Sequence, residues 1–172
     1  METVQFRLFG PDDDVSQLTA LLHKAFASLG AMGLRYTAVD QTDEVTRRRI
    51  APGGCYVALL SANLVGTVNY KPAGSTRGSP WLNRHDIASL GQLAVDPTHQ
   101  HLGLGGKLID MAEARARADG AREIALDTAE PATHLVNWYA ARGYRFIEYA
   151  QWPGKNYRSV IMSKPLRSQD VG

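Results

Sequence analysis

The sequence predicts a mixed α/β protein whose central mixed β-sheet has about six to seven strands and is flanked by about four helices. Short segments with alternating apolar residues are interspersed with longer segments of helical periodicity, and their order along the chain is βααβββαβαββ. The 172 residues fit one domain, residues 1–172, in which residues 166–172 are expected to form a flexible tail.

The chain begins with a strand followed by two helices. "VQFRLF" alternates and predicts the strand, and apolar residues then recur at helical spacing from Val15 to Phe26. A shorter helix is expected from Thr42 to Ile50, because Asp43 and Glu44 stand near its N-terminus and Pro52 stops it.

Three strands come next. "CYVALLS" and "LVGTVNYK", joined by a short turn near Ala62-Asn63, predict a hairpin. "PAGSTRGSPWLNRHD" is rich in Gly, Pro and Ser and predicts a loop. "IASLGQLAV" then predicts a strand that ends at Asp96-Pro97.

The stretch "HQHLGLGGKLIDMAEARA", His99–Ala116, places glycines directly before a helix. Leu104 and Leu108 share the apolar face of this helix. Glu113 is expected on the exposed face, in an i,i+4 pair with Arg117. Glycines before a helix indicate that an anion approaches the backbone, since the first N–H groups of a helix have no partner within it.

The last third of the chain continues with one strand, one helix and two strands. "REIALDT" predicts the first strand, and "ATHLVNWYAAR" predicts a helix that Gly143 stops. "YRFIEYAQW" and "RSVIMSK" predict the final strands.

Composition excludes several classes of function. A net charge of +2 is too small to indicate a nucleic-acid or membrane partner. Cys55 is the single cysteine, so neither a disulfide framework nor a thiolate metal cluster is expected, and its apolar surroundings indicate a small buried side chain. The sequence has no long apolar span or signal-peptide layout, so a cytoplasmic location is expected.

A nucleotide triphosphate is the first candidate anion, and the glycines do not fit it. A Walker A loop requires Gly-x-x-x-x-Gly-Lys-Ser/Thr, because the hydroxyl after the lysine binds magnesium. Here Gly106-Lys107 precedes Leu108, and His101 occupies the position of the first glycine. The pattern therefore excludes this loop.

A dinucleotide is the second candidate. Gly103-x-Gly105 opens a helix, and Asp127 ends the following strand at about the distance expected of a ribose-binding acid. However, Leu108 occupies the third glycine position, and residues Asp96 to Leu102 separate the strand from the first glycine. A nicotinamide-dependent oxidoreductase is therefore the least favoured alternative.

The third interpretation accounts for more of the chain. "LAVDPTHQHLGLGGKLI" resembles motif A of the GCN5-related N-acetyltransferase (GNAT) superfamily, in which a strand leads into Val-x-Pro and then Gln/Arg-x-x-Gly-x-Gly/Ala. Val95 and Pro97 match the first part of this motif. Gln100, Gly103 and Gly105 match the second part.

A second signature lies at the distance that the family requires. "NWYAARGYRF" resembles the family's Leu-Tyr-x-x-x-Gly-Phe helix end, with Trp138, Tyr139, Gly143 and Tyr144 at the four defined positions. One departure is Ala132, where the family commonly has Asn, so a side-chain contact to the cofactor is missing or supplied differently. The two motifs together identify the family resemblance.

The resemblance implies a splayed sheet and transfer of an acetyl group from acetyl-coenzyme A to an amine. The pantetheine arm would pair with the strand, and an amide near Leu93 would face the developing oxyanion. The pyrophosphate would lie on amides of the glycine loop. The residues expected to bind coenzyme A are Leu93, Ala94, Val95, Gln100, His101, Leu102, Gly103, Leu104, Gly105, Gly106 and Lys107.

Tyr139 is the candidate catalytic acid, since its counterpart in many family members protonates the thiolate of coenzyme A. The general base is left open. Its candidates are Asp127, Glu130, His134, Glu148 and His85. No metal site is expected, because His99 and His101 have no third ligand placed near them in sequence.

The expected acceptor is a primary amine of a small molecule or a peptide, and direct attack in a ternary complex is favoured. Three variable segments would select it: residues 28–40, 72–86 and 150–158. Candidate lining side chains are Trp81, Trp152, Tyr36 and Tyr157. A homodimer is compatible with the resemblance. The main alternative is a non-catalytic acyl-CoA-binding or sensor domain of the same fold.

Overall fold

The computed structural model describes residues 2–166, and it confirms the predicted order of strands and α-helices. Short 3-10 segments precede α2 and α3, at Thr37–Val39 and Pro97–Leu102. The elements are β1 (Gln5–Leu8), α1 (Val15–Ala31), α2 (Asp43–Ile50), β2 (Gly54–Leu60), β3 (Asn63–Lys71), β4 (Ile87–Val95), α3 (Leu104–Ala118), β5 (Glu123–Ala129), α4 (Thr133–Ala141), β6 (Arg145–Ala150) and β7 (Ser159–Pro165).

The strands form one seven-stranded mixed sheet in the order β1-β2-β3-β4-β5-β7-β6, which confirms the predicted fold class. β1 with β2, β2 with β3, β5 with β7 and β6 with β7 are antiparallel pairs. β4 and β5 are parallel, and their register runs from Ile87 opposite Glu123 to Ser89 opposite Ala125. This ladder covers only the first three residues of β4, whereas β5 pairs over its whole length with β7.

The described chain divides into two compact units. The first contains residues 2–70 and 91–112, and the second contains residues 71–90 and 113–166. The strand β4 contributes to both, so the single-domain organisation stays a prediction. Residues 167–172 of the expected tail lie outside the described residues, whereas Leu166 is buried and its N–H donates to the carbonyl of Arg122. Within residues 2–166, no helix is long and apolar enough to cross a membrane.

Helices cover both faces of the sheet in the first unit. On one face, buried side chains of α1, including Leu18 and Leu22, pack against Cys55 and Val57 of β2. Cys55 is buried as expected, and burial raises the pKa of its thiol to about 11, so it is not a reactive thiolate. On the other face, Leu104 of α3 packs with residues of β2 and β3.

Two local features bring the hairpin and α3 into place. The hairpin turn lies at Ser61 and Ala62, one residue earlier than expected, and both have positive φ as tight hairpin turns require. Gly66 in β3 allows close packing of α3, because a Cβ there would come within 3.0 Å of Leu108 Cδ1 and 3.5 Å of the Ala94 carbonyl oxygen.

The expected surface position of Glu113 is wrong. Its side chain is 3% exposed and its carboxylate accepts hydrogen bonds from Lys164 Nζ (2.8 Å) and Tyr144 Oη (3.2 Å). Burial and the Glu113 carboxylate raise the pKa of Tyr144 well above its ordinary range, so its phenol stays a proton donor. Glu113 follows Ile109 by four residues and precedes Ala116 by three, and both are fully buried, so the helical spacing places it on the buried face of α3. There Tyr144 and Lys164 satisfy its carboxylate.

Candidate active site

The backbone of β4 is irregular at Gln92, directly before the residues where the family resemblance expects the acyl group, and we refer to this irregularity as the bend in β4. Gln92 has φ of +49° and is 6% exposed, so a buried non-glycine residue adopts the left-handed conformation within a strand. Sequence reasoning assigned Leu93, Ala94 and Val95 and missed Gln92. The available signal was Gly91, since an isolated glycine in a strand indicates a bulge, although the positive φ falls on its neighbour.

Asp96 fixes the turn that follows β4. Its backbone N–H donates to the Val65 carbonyl at 2.8 Å, and its Oδ1 accepts from the Thr98 N–H at 2.9 Å and the Thr98 hydroxyl at 2.8 Å. Lys24 Nζ donates to Oδ2 at 3.0 Å. Burial raises the pKa of this carboxyl, but hydrogen bonds from Thr98 and Lys24 outweigh it and lower the pKa to about 2. The carboxylate therefore stays ionised and caps the loop.

The glycine loop ends in the left-handed conformation. Gly103 has φ of +72° and terminates the 3-10 turn, and α3 begins at the next residue. The amides of Leu104 and Gly105 lie in the first turn of α3, where the helix provides no carbonyl one turn earlier and the dipole favours an anion. A Cβ at Gly103 would have no atom within 4 Å, so this glycine is required by φ and not by crowding.

The side chains predicted to hold the pyrophosphate differ in exposure. Gln100, His101 and Leu102 are exposed in the 3-10 turn, whereas the Leu104 side chain is 2% exposed and offers only its backbone. Lys107 is exposed, with its Nζ 5.7 Å from the centre of the Phe6 ring. All residues predicted to bind coenzyme A lie in the first unit. They follow one another along the end of β4, the 3-10 turn and the start of α3.

Tyr139, the predicted acid, lies in the second unit on α4. It is 8% exposed, and its ring packs against Trp138 and Tyr144 at centroid distances of 5.2 and 6.0 Å. Its carbonyl accepts the N–H groups of Arg142 and Tyr144, which close the helix end around Gly143 at φ +97°. Gly143, four residues after Tyr139, therefore ends α4. The Tyr-x-x-x-Gly pattern thus has a structural role in this helix in addition to placing the tyrosine.

The carboxylates considered as general bases have partners in the second unit. Asp127 accepts from the Trp152 indole N–H at 2.9 Å, and Glu148 accepts from the backbone N–H of Trp81 at 2.8 Å. Glu130 pairs with an arginine guanidinium that lowers the pKa of this carboxyl and makes it a weaker base. The candidate histidines His85 and His134 are exposed. Among residues 2–166, no three metal-ligating side chains come together.

The four candidate acceptor-lining aromatics do not form one group within a unit. In the second unit Trp152 packs directly on Gly78, where a Cβ would fall 2.2 Å from the indole, and Trp81 joins the same apolar cluster. Tyr157 is buried in this unit. Tyr36 lies in the first unit, with its ring centre 5.6 Å from that of Phe26.

Comparison with curated proteins finds relatives that are acetyltransferases by name. The chain is 25% identical over 156 residues to the S-(2-succino)cysteine N-acetyltransferase of Bacillus subtilis, covering 90% of this chain and 92% of that protein. It is 27% identical over 161 residues to the mycothiol acetyltransferase of Propionibacterium freudenreichii. This second match covers 94% of the present chain but 47% of the relative, so the chain spans about half of that protein.

The fold is shared with solved acetyltransferases. A GNAT family acetyltransferase from Elizabethkingia anophelis, crystallised with acetyl-CoA bound, superposes with a TM-score of 0.67 at 15% identity, covering 95% of this chain and 98% of that one. The model of the Acetyltransferase (GNAT) family matches residues 18–144, which include motif A, the four defined positions of the second signature, and strands β2 to β5. The chain therefore belongs to the GNAT family of acetyltransferases.

Proposed function

We propose that this protein transfers an acetyl group from acetyl-coenzyme A to a primary amine of a small molecule or peptide. The observation that carries the proposal is the arrangement of β4, the Asp96 turn and the start of α3. The strand leads into a capped turn and a left-handed glycine, after which a helix begins with its first amides and its positive dipole end at the loop.

The loop residues fit a pyrophosphate. The amides of Leu104 and Gly105 would donate to its oxygens, and the exposed ammonium of Lys107 would add a positive charge. A cation in the first turn opposes the helix dipole, so an anion bound there would offset an otherwise unfavourable placement. Gln100 and His101 would contribute through their backbone in the 3-10 turn.

The C-terminal part of β4 fits an extended pantetheine arm. The ladder with β5 ends at Ser89, so the later residues Leu93, Ala94 and Val95 do not belong to that ladder and would pair with the arm as an added strand would. The Leu93 amide follows the left-handed Gln92 and would donate to the acyl oxygen as negative charge develops on it. When bound, acetyl-coenzyme A supplies the thioester that an amine attacks.

Tyr139 would act as the acid toward the departing thiolate. This assignment rests on the match of "NWYAARGYRF" to the family motif and on the phenol's capacity to donate a proton. The general base stays open among its five candidates. Glu130 is the least favoured of them, because the hydrogen bond from Arg158 lowers the pKa of its carboxyl.

The names of the relatives suggest where an acceptor search begins. One curated relative is an S-(2-succino)cysteine N-acetyltransferase, so we infer that S-substituted cysteines belong at the head of the acceptor panel, followed by polyamines, other amino acids and peptides. The alternative of a non-catalytic acyl-CoA sensor predicts binding of the coenzyme without thiol release. Membership of the acetyltransferase family leaves the oxidoreductase alternative without support.

Calorimetry and a thiol-release assay test this proposal. We expect acetyl-coenzyme A to bind and NADH not to bind, and we expect Gly105→Val to abolish binding, because the side chain would obstruct the phosphate at the backbone. Tyr139→Phe is expected to lower turnover while leaving the affinity for acetyl-coenzyme A nearly intact. Tighter binding of NADH, or unchanged binding by Gly105→Val, would contradict the assigned site.

A further inference from the structure

A buried chain of polar side chains in the first unit ends on the bend in β4. Gln41 is 4% exposed, and its Nε2 donates to Gln92 Oε1 at 2.9 Å and to Thr46 Oγ1 at 2.8 Å. Its Oε1 accepts from Arg49 Nη1 at 2.8 Å, and its backbone carbonyl accepts from His23 Nε2 at 2.7 Å. Side chains of α1 and α2 thus fix both the backbone and the amide group of Gln41.

The side-chain amide of Gln92 is held by the hydrogen bond from Gln41. Its Nε2 has no hydrogen-bond partner among residues 2–166, so within that part of the chain its side-chain amide is held through the Gln41 bond. Its backbone has φ of +49°, a conformation that an L-residue other than Asn or Asp rarely adopts and that persists when surrounding contacts enforce it. The orientation of the next amide, that of Leu93, follows from this backbone conformation.

We propose that Gln41 is a positioning residue, which holds Gln92 in the left-handed conformation and thereby aims the Leu93 N–H at the acyl oxygen. This inference rests on the proposed acetyl transfer. Gln41 directly follows residues 28–40, one of the segments proposed to select the acceptor. The Gln41–Gln92 bond therefore connects the segment that selects the amine with the amide that stabilises the transition state.

The first experiment compares Gln41→Leu with Thr19→Val in the full-length protein. Thr19 belongs to the same buried cluster, with its Oγ1 2.7 Å from Thr46 Oγ1, but the structure gives it no bond to Gln92. Removing an oxyanion donor costs about 100- to 1,000-fold in kcat, so misaiming one is expected to cost roughly tenfold or more. We expect Gln41→Leu to lower kcat and kcat/KM by the same factor, with the calorimetric Kd for coenzyme A unchanged, and Thr19→Val to change kcat by less than about twofold.

The second experiment separates the backbone role of Gln92 from its side-chain bond. Gln92→Ala and Gln92→Gly both remove the bond to Gln41, but glycine adopts positive φ without strain. If the bond serves to hold the bend, Gln92→Gly retains several-fold more kcat than Gln92→Ala. If the side chain serves only the packing of the unit, the two variants lose activity equally, and that result overturns the proposal. This comparison also applies if Gln41→Leu does not fold.

Crystal structures test the positioning role of Gln41 without a measurement of turnover. Crystal structures of wild type, Gln41→Leu and Thr19→Val give the φ of residue 92 directly, and we expect it to leave the positive region in Gln41→Leu only. A positive φ in Gln41→Leu, or equal kcat in Gln41→Leu and Thr19→Val, overturns the positioning role while acetyl transfer stands. A wild-type protein that binds acetyl-coenzyme A but releases no thiol with any amine overturns the proposed function itself.

Discussion

Replacing Asp96 by Asn tests whether the turn after β4 is held by a charged carboxylate. Asparagine keeps an oxygen that can accept from the Thr98 N–H, but it removes the charge that faces Lys24. The substitution therefore changes the electrostatic contribution of the side chain with little change in its shape. We expect the variant to be less stable than wild type at neutral pH.

The expected loss in unfolding free energy follows from the pKa of the Asp96 carboxyl. A carboxyl whose pKa falls from its ordinary 3.8 to about 2 on folding gains up to about 2.4 kcal/mol. Because Lys24 is 57% exposed and its attraction is screened by solvent, we expect a smaller loss of about 1–2 kcal/mol for Asp96→Asn. The folded-state pKa is depressed, so this stability is fully present above pH 3.8 and is lost as the pH falls through about 2.

Urea unfolding of wild type and Asp96→Asn between pH 7 and pH 3 measures this contribution. The difference in unfolding free energy is expected to be constant from pH 7 to about pH 5 and to fall to roughly half by about pH 3. Asp119→Asn is the control, since its ion pair with Arg115 is 37% exposed on both sides and is worth less than about 1 kcal/mol. If the difference in unfolding free energy between wild type and Asp96→Asn does not change down to pH 3, the charge of Asp96 does not stabilise the turn.

Three further predictions concern stability and use the same urea assay. Lys164→Met leaves the buried Glu113 carboxylate without its cation and is expected to cost about 2–4 kcal/mol, and no loss would show that the pair is unimportant. Gly66→Ala forces a Cβ to within 3.0 Å of Leu108 and is expected to cost about 1–3 kcal/mol, unless α3 shifts freely. Gly103→Ala meets no neighbour, so only its φ of +72° opposes it, and we expect about 1–2 kcal/mol; a stabilised variant would contradict this.

The elements of the fold could be predicted from the sequence because each has a strong local signal. "IASLGQLAV" corresponds to β4 over its full length, Ile87–Val95, since Asp96-Pro97 ends the strand sharply. The helix expected from Thr42 to Ile50 begins at Asp43, with the Thr42 hydroxyl accepting the Val45 N–H as its N-cap. In both cases neighbouring residues determine where the element starts and ends.

The parts that could not be predicted depend on residues distant in sequence. A glutamate can occupy the buried position 113 because Lys164, 51 residues later, brings a cation to its carboxylate. The bend at Gln92 depends on Gln41, which is 51 residues earlier. Glutamine has no intrinsic preference for positive φ, so periodicity and turn chemistry carry no signal for it. Glycine at position 91 indicates an irregularity in β4 but not which residue adopts it.

The two proposed substrates are recognised by different kinds of groups in the protein. The proposed donor site uses main-chain groups. The amides of Leu104 and Gly105 follow the left-handed Gly103, and the amide of Leu93 follows the left-handed Gln92. Backbone N–H groups donate whatever side chain stands at their position, so such a site tolerates wide sequence change. The proposed acceptor segments would instead recognise the amine through side chains, so its identity depends on the particular residues at those positions. The donor can therefore be inferred from the family, whereas the amine must be identified by the acceptor screen.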